Sequence, residues 1–429
     1  MLPAPPPHPA FGPDAPVYLD HNATTPVDPR VAEAMRAPLA EAFGNPSSAH
    51  AYGTPARALL DEARGRVTGL IGADAGRLVF TGSGSEADAL AVRGAVLQLI
   101  ASGPGRWREE RPHVITQPTE HPAVLAACEY LLRWHGAEVT LLGVDEQGRV
   151  DPDELRAVLT DRTLLVSVMH ANNETGTIQP IAELARITHE SPDALFHTDA
   201  AQTVAKVPVD VEALGVDLLT LVGHKMYAPK GIGALWVRDG VRLEPIVAGG
   251  GQEGGLRAGT ENLPHAVALG AAAALASADL AADEPARLAA LRDRLHAGLD
   301  AALPGRVRLN GHPVERLPHT LNVSLDGVDA RALLALAPGV AASTGSACHA
   351  GATTPSPVLT GMGLDAARAF GALRLSLGRW TTEDDIDRAV ALLAAAAADE
   401  RAAATVTESA AERARRLARR TLPLITPGG

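Results

Sequence analysis

Between residues 195 and 237 the chain repeats one arrangement: a short apolar run that stops abruptly in polar residues. The first is Leu195-Phe196-His197-Thr198-Asp199-Ala200-Ala201-Gln202 and the second Asp217-Leu218-Leu219-Thr220-Leu221-Val222-Gly223-His224-Lys225. A third run, Gly231-Ile232-Gly233-Ala234-Leu235-Trp236-Val237, follows closely. Short apolar runs bounded by turn signals are the mark of buried strands. The interval 209–215 leaves room for only a short helical turn. In open α/β sheets ligands sit at the carboxyl ends of strands, so Asp199 and Lys225 are expected to emerge side by side on neighbouring strands.

That pairing suits one cofactor. Pyridoxal phosphate (PLP) is held by a lysine, while a carboxylate pairs with its pyridinium nitrogen and keeps the ring an electron sink. Either residue alone also fits a plainer role, a solvated loop lysine or a strand-end cap. Together, and flanked by His224 and Gln202, they favour the cofactor.

The rest of the chain repeats the pattern. Residues 77–80 read as a strand running into Thr81-Gly82-Ser83-Gly84-Ser85-Glu86-Ala87-Asp88, with a helix to residue 100. Free backbone N–H groups and the helix dipole make such a loop a phosphate seat, although a tight strand–helix turn has the same composition. Strands at 113–116 and 164–169 end in Glu120-His121 and His170-Ala171-Asn172-Asn173. Strands that alternate with helices and end in His, Asn, Asp and Lys imply α/β architecture with the site along one sheet edge. Helices are expected at 29–42, 55–71 and 263–303, and a second domain with strands near 307–309, 320–324 and 372–377.

Two passages carry a resemblance. His197-Thr198-Asp199-Ala200-Ala201-Gln202 and Gly223-His224-Lys225-Met226-Tyr227-Ala228-Pro229-Lys230-Gly231 resemble signatures of the cysteine desulfurases, PLP enzymes of the class V aminotransferase family. The likeness spans about residues 17 to 395. It implies the PLP-dependent transferase type I fold. A large, mainly parallel α/β domain would cover 17–262 and a smaller α+β domain 263–404, with tails at 1–16 and 405–429. It implies that Lys225 holds PLP, Asp199 meets the ring nitrogen, His121 stacks on the ring and relays protons, and Asn173 and Gln202 bond ring oxygens. Gly84, Ser85 and His224 would bind the phosphate. Thr260, in the glycine-rich loop 249–260, would reach the phosphate of a partner subunit, which makes the chain a homodimer. Arg374 would grip the substrate α-carboxylate, with Asn45, in the turn 44–48, as a second substrate-binding residue. The implied reaction converts L-cysteine to L-alanine, with sulfur held as a persulfide on Cys348. An acceptor or scaffold protein would take that sulfur, as iron–sulfur cluster assembly requires.

Composition bears on the exclusions. The formal net charge is −12 over 429 residues, which argues against a nucleic-acid or membrane partner, since either needs a basic face. Neither a membrane span nor a signal peptide is expected, so the expectation is a cytoplasmic protein. The Pro-rich segment 1–16 reads as a flexible tail. The two cysteines, Cys128 and Cys348, are too few for a disulfide framework, and no metal-ligand spacing accompanies them.

Cys348 lies in a stretch of small polar residues, where a thiolate is reachable, and His349 adjoins it. Cys128 lies among Val124, Leu125, Ala126 and Ala127 and reads as a structural thiol. In Leu373-Arg374-Leu375-Ser376, strand alternation puts the leucines on one face and Arg374 on the other, where a guanidinium can hold a carboxylate in two bonds. Three positions depart from the resembling family. Gly84-Ser85 stands where Ala-Thr is usual, and Val222 stands where a serine binds phosphate. Val222, with Ala347-Cys348-His349 and 355–359, is closer to selenocysteine lyase, so L-selenocysteine is the alternative substrate. A PLP-dependent aminotransferase is the further alternative, and it would have no need of Cys348.

Overall fold

The structure is a computed structural model that describes residues 5–12, 14–103, 105–108, 110–344 and 354–398. A two-residue strand, β1 (Val17–Tyr18), precedes a seven-stranded sheet. Its members are β2 (Arg77–Thr81), β3 (His113–Thr116), β4 (Glu138–Leu141), β5 (Thr163–Ser167), β6 (Leu195–Asp199), β7 (Leu218–Val222) and β8 (Gly233–Val237). They lie in the order β2-β8-β7-β6-β5-β3-β4, with β8 antiparallel to both neighbours and the other pairings parallel. This is the expected α/β fold.

Parallel strands covered on both faces read as continuous apolar runs, and β3, β5 and β7 are buried at every residue. On one face Val166, Phe196, Leu219 and Leu221 pack with the helices Gly53–Leu70 and Leu263–Ala281. On the other, Val114, Leu165 and Leu218 meet Val124, Cys128 and Leu131 of the helix Pro122–His135. That second face also carries a polar ladder. Ser167 Oγ lies 2.8 Å from His197 Nδ1, and His197 Nε2 lies 3.1 Å from Thr220 Oγ1. Burial pushes His197 down to about 3, so the ring is neutral and one nitrogen accepts where the other donates.

The helix Leu263–Ala281 has the length and hydropathy of a membrane span, which the sequence reading did not anticipate. Its apolar face is spent on the core. Leu263, Ala266, Leu269, Ala272, Ala273 and Ala276 are buried, and a Cβ on Gly270 would stand 2.7 Å from Ala63 Cα. The two helix backbones approach that closely because glycine occupies the crossing.

The second layer holds β9 (Val307–Leu309), β10 (Thr320–Leu325), β11 (Val340–Ala341) and β12 (Ala372–Ser376). The antiparallel order is β12-β10-β9, and β11 pairs in parallel with β1. Leu291, Leu295 and Leu299 of the helix Glu284–Ala302 close over Leu321, Val323, Leu373 and Leu375, and Val17 and Leu19 join this core. The entry of the chain therefore packs with the smaller core before crossing to the larger one.

Three expectations about elements change. The helix expected at 29–42 is two, Pro29–Ala34 and Arg36–Ala40, because Pro38 has no N–H to offer the Ala34 carbonyl. The helix expected at 263–303 breaks at Asp283, whose φ is 61°, and restarts as Glu284–Ala302. The part of 1–16 that the structure describes is packed rather than flexible. Trp380 Nε1 donates to the Pro6 carbonyl at 2.9 Å, and the His8 and Phe11 rings lie 4.9 and 6.0 Å from the Trp380 ring. Aromatic anchors outweigh a Pro-rich composition there.

Candidate active site

The carboxyl ends of β2, β3, β5, β6 and β7 open onto one cavity of about 380 Å³. Asn22, Ser83, Gly84, Ser85, Asp88, His121, Asn173, Asp199, Gln202, Val222, His224, Lys225 and Arg374 line it. Nine expected site residues thus meet in one place: Gly84, Ser85, His121, Asn173, Asp199, Gln202, His224, Lys225 and Arg374.

Lys225 closes the short helical turn Gly223–Lys225 that follows β7 directly. Its Nζ donates to the main-chain oxygens of Asn22 and, at 2.9 Å, Ala23. Gln202 Nε2 donates to the same Asn22 oxygen at 3.2 Å. Asn22 is fixed from the side of β10 and β12, its Oδ1 lying 2.8 Å from His319 Nε2 and its N–H 2.9 Å from Ser376 Oγ.

Asp199 ends β6 and accepts the Ala201 N–H at 2.9 Å. Burial raises its pKa, while His121 and Lys225 oppose that rise. Two more buried acids lie close by. Asp88 is held well above the usual carboxylate range by burial and by Asp199, and one of its oxygens has no hydrogen-bond partner. Glu120 is pushed up to about 8 by burial, although Met169 N–H meets its Oε1 at 2.6 Å. Among the three, Asp199 alone has a lysine opposing the rise, which makes it the readiest of them to carry negative charge.

His121 caps the helix Pro122–His135, its Nδ1 accepting the Ala123 N–H at 3.2 Å. The ring's proton is therefore on Nε2. Burial lowers its pKa, with Asp199 opposing. His224 is pushed down to about 4, by burial first and then by Lys225, and its Nδ1 lies 3.1 Å from Thr24 Oγ1. Arg374 is buried. Its Nη2 donates to Asp20 Oδ1 at 2.9 Å and its Nη1 to the Asn173 carbonyl at 3.1 Å.

The remaining expected residues are elsewhere. Asn45 and Thr260 are exposed and do not line this cavity. Asn45 Oδ1 instead accepts the Ser47 N–H at 2.9 Å. Cys348 lies outside the described residues. Cys128 is buried, which pushes its thiol up to about 12, as a structural thiol requires. Arg379 ties the two cores, meeting Asp28 Oδ2 at 2.6 Å and also Asp279. Asn22, Asp20, Asp88 and Glu120 have no role assigned to them from the sequence. Asp88 was within reach of it: four residues beyond Gly84 on a helix, it shares that residue's face.

A model of the aminotransferase class-V family matches residues 17–389. The chain belongs to that family. A cysteine desulfurase IscS of an Anaeromyxobacter species is 47% identical over 381 residues, covering 88% of this chain and 91% of the relative. The solved structure of a NifS-like protein superposes with a TM-score of 0.79 at 34% identity, covering 89% of this chain and 98% of that one. The structure of SspA in complex with cysteine gives a TM-score of 0.72 at 34% identity, over 85% and 99% of the two chains.

Proposed function

We propose that this family member is a PLP-dependent cysteine desulfurase, which converts L-cysteine to L-alanine and hands the sulfur on through Cys348. The observation that carries the reading is the meeting of Lys225, Asp199 and the Ser83-Gly84-Ser85 loop around one cavity. The donor set fits the cofactor: a primary amine, a buried carboxylate that it faces, and the N–H groups at the start of a helical stretch. Lys225 would hold PLP, Asp199 would face its ring nitrogen, and Gly84, Ser85 and His224 its phosphate. His121, Asn173 and Gln202 would lie against the ring. When bound, PLP supplies an electron sink for bonds broken at the substrate α-carbon.

The chain's own residues do the rest. Arg374, already oriented by Asp20 and Asn173, holds the substrate carboxylate and so fixes which bond at the α-carbon faces Lys225. The amine of Lys225 carries that proton. His121, neutral and with its proton on Nε2, exchanges protons at the substrate. The Cys348 thiolate forms an S–S bond as the substrate C–S bond breaks, and the carbon left behind takes a proton to become the methyl of alanine. We assign Thr260 to the cofactor phosphate of a partner subunit across a homodimer, Asn45 to substrate binding, and the persulfide sulfur to an accepting protein, in the cytoplasm. Both residues are exposed away from their own cavity.

Val222 at the cavity wall favours a second reading, selenocysteine lyase. A selenolate departs with less help than a thiolate, so Cys348 matters less for selenium. Cys348→Ala is expected to lose alanine formation from cysteine and the persulfide seen by mass spectrometry, while keeping part of its turnover of selenocysteine. Wild-type protein that ignores cysteine and consumes selenocysteine replaces the first reading with the second.

A further inference from the structure

Gly84 opens the helix Gly84–Ala89, and its backbone is not left-handed. Nothing in its conformation calls for glycine. Its surroundings do, because a Cβ there would stand 2.3 Å from Val222 Cγ2. Val222 is the last residue of β7, three positions before Lys225. Directly across the ladder from it is Gly233. A Cβ on Gly233 would meet the Ser83 carbonyl carbon at 2.8 Å and Gly84 N at 3.0 Å. The Ser83–Gly84 backbone therefore rests flush on a platform made by one valine and one glycine. Val222 fills the volume that a side chain at position 84 would need.

We propose that Gly84 and Val222 act as one coupled positioning unit, which sets the height of the phosphate-binding loop above the strand that carries Lys225. This rests on the PLP reading above. Ordinary contact begins at 3.4 Å, so a methyl at position 84 lifts the loop by about 1 Å into the cavity or turns the valine off its rotamer. Displacement of that size separates a phosphate seat from an amine that must engage the same molecule, and it costs binding steeply. Trimming Val222 removes the obstacle. The exchange at 84 is then harmless, whichever small residue replaces the valine.

The test is a double-mutant cycle on Gly84→Ala with Val222→Ser, and again with Val222→Ala, read as the Kd for PLP of reconstituted apoprotein and as the Tm of the apoprotein. Gly84→Ala alone is expected to weaken PLP binding at least tenfold and to lower the apoprotein Tm. Val222→Ala alone is expected to change Kd by less than about threefold and Val222→Ser alone to bind PLP at least as tightly as wild type, while adding Gly84→Ala to either replaced background is expected to change Kd by less than about threefold. Equal losses from Gly84→Ala in all three backgrounds overturn the proposal. Recovery with serine but not alanine also overturns it, because a hydroxyl donor rather than volume would then be the cause. Wild-type protein that takes up no PLP overturns the cofactor reading instead, and coupling in the apoprotein Tm then shows that the packing unit exists without that role.

Discussion

At the residue scale the account turns on which buried group carries charge. Asp199 is the readiest of the three buried acids to carry it because Lys225 opposes the rise that burial causes, whereas no lysine or arginine does so for Asp88 or Glu120. Asp199→Asn is expected to keep PLP bound in equilibrium dialysis and to lose at least about a hundredfold in kcat, since an amide leaves the ring nitrogen unprotonated. Retention of full turnover would move that role to another group. Arg374→Lys keeps the charge but not the planar pair of donors. It is expected to raise KM for cysteine at least about tenfold with a smaller change in kcat, and an unchanged KM would place the carboxylate elsewhere. Both residues were legible in the sequence because each lies on a strand whose pattern shows which way it faces. Asn22 was not legible. Its importance comes from His319 and Ser376, about 300 and 350 residues away in sequence, and no local pattern reports such contacts.

At the scale of elements, strands and their ends were readable while breaks and contacts between elements were not. The runs in β6 and β7 are short, apolar and abruptly ended. The interruption at Pro38 and the turn at Asp283 sit inside otherwise helical spacing. The departures at Gly84 and Val222 were visible singly, and only packing shows that they touch. Buried polar groups within the elements predict a pH dependence. Burial holds His21 and His197 down to about 3 and His170 and His224 to about 4. Unfolded, each takes up a proton as pH falls through its ordinary value of 6.5, and the folded chain does not until far lower. Stability is therefore present above about 6.5 and falls as pH drops toward 4. Glu120, raised to about 8, acts in the opposite sense between its ordinary value and 8, and Asp88 and Asp199, also raised by burial, act with it; the histidines outnumber these acids, since burial lowers His113, His121, His296 and His319 as well. Apoprotein Tm should decline steadily from about pH 6.5 to about pH 4.5, and a flat profile would mean that these rings are hydrated.

At the scale of the molecule, the sheet supplies the residues that would contact the cofactor while the smaller core supplies Arg374 and the groups that fix Asn22. The site is complete only when the two are held together. Arg379 is one tie, buried between Asp28 and Asp279 and lying 4.2 Å from the Tyr227 ring centroid. Removing it leaves the buried Asp28 carboxylate with Arg30 alone. Arg379→Leu is expected to cost about 3 kcal/mol in denaturant unfolding, and a change within about 0.5 kcal/mol would show that the cores are held by apolar contacts instead. Light scattering is expected to give twice the mass of one chain, and an active monomer would contradict the role given to Thr260. The most direct test of the whole account is the product formed from L-cysteine by the PLP-loaded protein. The account predicts L-alanine in amounts equal to the cysteine consumed, with none from Lys225→Ala. Consumption of cysteine with release of pyruvate and ammonia, or no consumption at all, would contradict it.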